Sequence, residues 1–128
     1  VHAVVLPPGT GPLVREVARV IADELGWPSD WLNDAAKAYV QDPLPGETLF
    51  EGGALVVRIP VPEQLLAMKL SAWRDDVDVS DARLLLGRCA VSGREELWKR
   101  VLRHVLPGRE LKARYALDDL WDSVHGPA

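Results

Sequence analysis

Lys69, Asp78 and Asp81 are the residues of this chain whose types and spacing could do chemistry. The lysine sits in the run Leu65-Leu-Ala-Met-Lys-Leu70, which is otherwise apolar. The aspartates follow in Asp75-Asp-Val-Asp-Val-Ser-Asp81. A long cation is rarely buried without a partner. A lysine on a core-building helix therefore calls for an anion, and Asp78 and Asp81, which follow it across the turn, are the obvious partners. The residues alone describe a helix pair with a Lys–Asp constellation at its open end. The plain reading is an ion pair tying the helices together, with Asp81 also favoured by the helix dipole just after Ser80. A second cluster, Arg94, Lys99, Arg100, Arg103, His104, Arg109, Lys112 and Arg114, concentrates basic charge near the C-terminus. It could meet RNA phosphates, although Glu95, Glu96 and Glu110 interleave it as on a solvated helix face. The chain carries no Cys-x-x-Cys, no His pair at metal spacing, no nucleophile elbow and no P-loop.

These residues must be positioned by a short series of elements. Val1–Leu6 reads as a buried strand, closed by Pro7-Pro8-Gly9-Thr10-Gly11. Pro12 opens a helix on which Leu13, Val17, Val20, Ile21 and Leu25 recur at helical spacing, and Gly26 with Pro28 ends it. Ser29 is placed to cap a second helix reaching Tyr39. After a Pro/Gly loop, Thr48–Glu51 and Ala54–Ile59 read as a hairpin turning at Gly52-Gly53. Pro62 starts the helix that bears Lys69 and runs to Trp73, and Ser80 is expected to cap the next, through Cys89. Ser92-Gly-Arg-Glu95 has the form of a capping box opening a helix to Val105, and a last helix spans 110–124. The expectation is an α+β fold. A small mixed β-sheet in residues 1–61 is followed by a C-terminal helical bundle in 62–128, within a single domain of 128 residues.

Bulk composition narrows the class. At 48% hydrophobic and 27% charged, with a net charge of −4, the chain reads as an ordinary globular protein with no global attraction to nucleic acid or anionic membrane. No apolar run approaches the roughly 20 residues of a membrane span, and the opening residues do not read as a signal peptide. Cys89 is the single cysteine, so no intrachain disulfide forms and a cytoplasmic location is expected.

The same stretch resembles a known family. Leu65-Leu-Ala-Met-Lys-Leu70, the Arg74 loop, Asp78-Val-Ser-Asp81 and Arg83-Leu-Leu-Leu86 are similar to the C-terminal motif of nucleotidyltransferase-like proteins of the abortive-infection AbiEii type. They resemble still more a related bacterial group of uncharacterised nucleotidyltransferase-like proteins. The likeness extends to Glu24–Lys37, Leu49-Phe-Glu51 and Ala54–Leu66, across roughly residues 1–90. It implies a nucleotidyltransferase-type sheet followed by helices. It also implies nucleotide transfer from a Mg²⁺-bound NTP to an RNA or protein acceptor, often beside an antitoxin partner. Carried over by position, Lys69 would neutralise triphosphate charge as a point cation, and Asp81, with Asp78, would orient it. Arg74, Asn33 and Asp34 are the substrate-facing residues the resemblance implies.

One departure bears on activity. Relatives carry Mg²⁺-binding carboxylates as Asp-x-Asp on a strand, below a Gly-Ser turn. His2 falls at the second of those carboxylates, the first lies before Val1, and the Gly-Ser turn has no counterpart. Neutral imidazole suits zinc-like ions better than Mg²⁺. The expectation is an incomplete or catalytically impaired nucleotidyltransferase-like chain, a fragment or a diverged product. The alternative is a non-catalytic protein-interaction module that keeps the fold, with an RNA-binding helical domain as third choice. In the plain reading His2 is a strand filler, and Trp27 and Trp31 are packing residues.

Overall fold

The computed structural model describes residues 3–5, 8–33, 35–40 and 43–126. The chain gathers into two compact units, Val1–Ala38 and Tyr39–Ala128.

In the first unit, a 3₁₀ turn at Pro8–Thr10 leads into α1, Gly11–Leu25, with Pro12 in its first turn. Gly26 ends the helix at φ 69°, the left-handed conformation that glycine adopts without steric cost. The apolar periodicity does not mark the buried face. Leu13, Val17, Val20 and Leu25 are all exposed, while Ala18 and Ala22, one turn apart, are buried. Small side chains let the Trp31 indole approach the α1 backbone, where its N–H donates to the Ala18 carbonyl at 2.8 Å. Trp27 meets Trp31 edge to face at 5.2 Å, the packing role expected of both.

The helix expected from Ser29 to Tyr39 is reduced to a 3₁₀ segment, Ala35–Tyr39. Asn33 explains the loss. Its Oδ1 accepts from the Ala35 N–H at 3.1 Å, and its Nδ2 donates to the Asp30 carbonyl at 3.3 Å. These local bonds offer the backbone an alternative to helix. Residues 3–5 of the expected strand form no regular strand; the Ala3 N–H donates to the Asn33 carbonyl at 2.8 Å. His2 and Asp34 lie outside the described residues.

The second unit opens with the hairpin. β1, Pro45–Gly52, pairs antiparallel with β2, Leu55–Pro60, so the sheet has two strands among the described residues rather than a larger mixed set. The closing pair is Gly52 with Leu55, and Gly53, at φ 59°, makes the turn with Ala54. Register breaks on both sides of Thr48 mark bulges. At the strand base a Cβ on Gly46 would stand 2.7 Å from the Ile59 carbonyl, so only glycine fits that approach. Gln64 anchors this end: it is buried, and its Oε1 accepts from the Leu44 N–H at 2.7 Å.

Four helices complete the unit: α2, Pro62–Ser71; α3, Asp75–Arg88; α4, Arg94–Leu102; and α5, Glu110–His125. Their shared core takes Leu66 and Leu70 from α2, Ala82 and Leu86 from α3, Leu97 and Val101 from α4, and Leu117 and Leu120 from α5. Two helix starts differ from expectation. α3 begins at Asp75, five residues before Ser80, so Asp78 and Asp81 stand on the helix and not in a turn ahead of it. α4 begins at Arg94, and Glu96, not Glu95, reaches back to the Ser92 N–H at 2.6 Å. Glu95 pairs instead with Arg114 on α5.

Candidate functional site

The α2–α3 corner brings Lys69, Arg74, Asp78 and Asp81 together. α2 presents Lys69 in its last turn and ends at Ser71, whose hydroxyl donates to the Ala67 carbonyl at 2.7 Å. Arg74 is the N-cap of α3 in an extended conformation, φ −127° and ψ 105°. Its carbonyl accepts from the Val77 and Asp78 N–H groups, both at 3.0 Å, which starts the helix. The Asp78 carboxylate then reaches back to the Arg74 N–H at 2.8 Å. This is the reach-back half of a capping box, placed one residue further into the helix. It accounts for α3 starting ahead of Ser80.

Asp78 is the centre of the network, at 2% exposure. One oxygen accepts from Lys69 Nζ at 3.1 Å and from Arg74 Nη2 at 3.2 Å. The other accepts from the Arg74 backbone N–H and from Nε at 3.3 Å. Burial alone would raise its pKa, but the bonds from Arg74 and Lys69 outweigh burial and hold the carboxyl below its usual range. The opposite holds for Lys69. Burial opposes its charge, and the bonds to Asp81 and Asp78 overcome that, keeping its pKa above the ordinary lysine value.

Asp81 also lies 3.1 Å from Lys69 Nζ, but its side chain is 64% exposed. An exposed pair of this kind contributes only a few tenths of a kcal/mol up to about 1. The two aspartates therefore differ in kind: Asp78 is built into the fold, and Asp81 is held loosely at the surface. Lysine carries three N–H donors. Two are engaged by Asp78 and Asp81, and the third has no acceptor among the described residues. Arg74, with a side chain 66% exposed, likewise keeps its Nη1 group unengaged among the described residues.

Comparison with protein-family profiles, with curated proteins and with solved structures returned no match.

The remaining expected site residues are placed differently. Asn33, in the first unit, spends both ends of its amide on the local turn. Among the described residues no three His, Cys, Asp or Glu side chains gather as a metal site. Asp78 does not fit a Mg²⁺ ligand either, because both oxygens already face cationic or N–H donors. About half of the C-terminal basic cluster is paired within the fold. Arg94 lies 3.7 and 3.6 Å from Asp118 and Asp122, Arg100 meets Glu96 and Glu63, and Arg114 meets Glu95 and Asp118. Arg109 stacks over the Tyr39 ring at 4.6 Å. No helix of the described residues is long and apolar enough to cross a membrane.

Sequence reasoning missed the part Arg74 plays in the fold. The signal was there in outline, an acidic residue four positions after an arginine at a helix start, but it became legible only with the helix boundary fixed.

Proposed function

We propose that this chain is a nucleotidyltransferase-like module whose α2–α3 corner contacts nucleotide phosphates. Lys69 makes the contact, Asp81 positions it, and Arg74 assists. One observation carries the reading: residues separated in sequence and singled out as one functional set converge, with Lys69 Nζ 3.1 Å from both Asp78 and Asp81. The network of two cations and two carboxylates is neutral as it stands. A phosphate therefore binds by taking the place of Asp81 at Lys69, which the exposure of that aspartate makes inexpensive. Asp78 stays in place and keeps Lys69 charged and aimed. At the corner both carboxylates, Asp78 and Asp81, are engaged by Lys69, so the proposal covers nucleotide binding and derives no transfer step.

Calorimetric titration of the chain with each NTP and with inorganic tripolyphosphate tests this, with Lys69→Ala and Asp81→Ala alongside and folding checked by circular dichroism. Binding of tripolyphosphate that Lys69→Ala abolishes and Asp81→Ala retains or strengthens is the expected result. Affinity unchanged in a folded Lys69→Ala, or none for any of these ligands, refutes it.

A second reading, a non-catalytic interaction module, is favoured by the hairpin. Leu49, Phe50, Leu55 and Val56 are all exposed on a two-stranded sheet, and exposed apolar strands with open edges are the usual template for strand addition by a partner. Lys69→Ala with normal partner binding and no nucleotide affinity in the parent chain would favour it.

A further inference from the structure

A groove of about 420 Å³ opens beside the corner, lined by Trp73, Leu111, Lys112, Tyr115, Ala116 and Asp119. Trp73 belongs to the connection between α2 and α3: it lies four residues after Lys69, past the end of α2, and directly precedes Arg74. The other five residues form one stripe of α5, and the groove they line is shallow and open to solvent.

The polar groups of this stripe are idle. Lys112, Tyr115 and Asp119 make no hydrogen bond, ion pair or ring contact among the described residues. The neighbouring stripe of the same helix behaves oppositely: Arg114, Asp118 and Asp122 are all engaged in ion pairs with each other, with Glu95 or with Arg94. Along α5, Lys112 and Asp119 stand on either side of Tyr115, at roughly 5 and 6 Å of helix rise. A tyrosine ring and an indole thus offer flat apolar surface, with one cationic donor and one anionic acceptor flanking it.

We infer that this groove is a nucleobase subsite, taking a base with an exocyclic amino group, its ring against Trp73 and Tyr115. Asp119 accepts from the amino group, and Lys112 donates to a ring nitrogen or carbonyl oxygen. Guanine, cytosine and adenine present such a donor beside an acceptor, whereas uracil lacks the amino group. The inference rests on the phosphate-contact reading only for its description as part of a nucleotide site.

The test uses the whole chain. Guanosine, adenosine, cytidine and uridine are titrated while the Trp73 indole and Tyr115 ring resonances are followed by NMR. GTP and tripolyphosphate are compared by calorimetry. The amino-bearing nucleosides are expected to shift both residues and uridine to do so less. GTP is expected to bind at least about fivefold tighter than tripolyphosphate, the lower end of what one stacked base contributes. Tyr115→Ala, at an exposed position, removes that gain and leaves tripolyphosphate affinity unchanged, and Asp119→Asn removes the preference over uridine. If no nucleoside perturbs Trp73 or Tyr115, or if GTP and tripolyphosphate bind equally, the base subsite is overturned while Lys69-dependent tripolyphosphate binding stands. Nucleoside binding without any tripolyphosphate binding sustains the base subsite and ends the phosphate reading.

Discussion

Replacing Asp78 and replacing Asp81 should have very different consequences, although both carboxylates lie 3.1 Å from the same ammonium. Asp78→Ala removes a carboxylate that is 2% exposed and accepts four hydrogen bonds. Losing the reach-back to the Arg74 N–H at the start of α3 costs about 1 kcal/mol, as removal of a helix cap usually does. Losing the buried bond from Lys69 costs about 1.5 kcal/mol. That is the low end for a bond to a charged group, because Lys69 is 32% exposed and regains some hydration. The Arg74 guanidinium is mostly exposed and rehydrates, so it adds little. The sum is about 2.5 kcal/mol for Asp78→Ala, against about 0.5 kcal/mol or less for Asp81→Ala. Urea unfolding followed by tryptophan fluorescence and far-ultraviolet circular dichroism at pH 7 measures both. A cost below about 1 kcal/mol for Asp78→Ala, or equal costs for the two variants, would refute the division of the network into a structural and an exchangeable carboxylate.

Acid stability and thiol reactivity give two further outcomes. The folded Asp78 carboxyl has a pKa below its ordinary value of 3.8, so the unfolded chain takes up its proton first on acidification. Its contribution is thus complete above pH 3.8 and lost as pH falls through the lower folded value; Lys69 works the other way, contributing below its ordinary 10.5 and losing that as pH rises through its raised folded value. Unfolding free energy measured against pH should therefore be flatter below pH 4 in Asp78→Asn than in the parent chain, and identical acid slopes would contradict this. Cys89 is 5% exposed and its thiol is pushed up to about 11 by burial, with Glu63 adding and Arg100 opposing. Labelling by a thiol reagent at pH 7.5 should be slow in the native chain and complete in urea, and rapid native labelling would place Cys89 at the surface.

The bundle was legible in the sequence where pattern and burial coincide. Pro62 opened α2, Leu66 and Leu70 fell inward at one-turn spacing, and the breaker at Leu106-Pro-Gly108 separated α4 from α5. The pairing of Lys69 with Asp78 and Asp81 was also legible, because a cation in an apolar helix must find an anion and these two follow it across the turn. The first unit was less so. The periodic leucine and valine face of α1 is exposed and an alanine pair is buried, since a tryptophan that packs against helix backbone selects small residues rather than large ones. Asn33 took its segment out of helix by bonds that a period count does not register.

By itself, the sequence determined the α+β class, the hairpin, the four-helix succession and the charged corner, all of which depend on local periodicity, turn residues and the need to pair a buried charge. Tertiary structure decided which aspartate is which. Asp78 and Asp81 are three residues apart, nearly one helical turn, and share a partner. Only the placement of α3 against the end of α2 buries the first among four donors and leaves the second in water. The physical reason is that burial depends on what packs over a residue from elsewhere in the chain, and no local pattern records that.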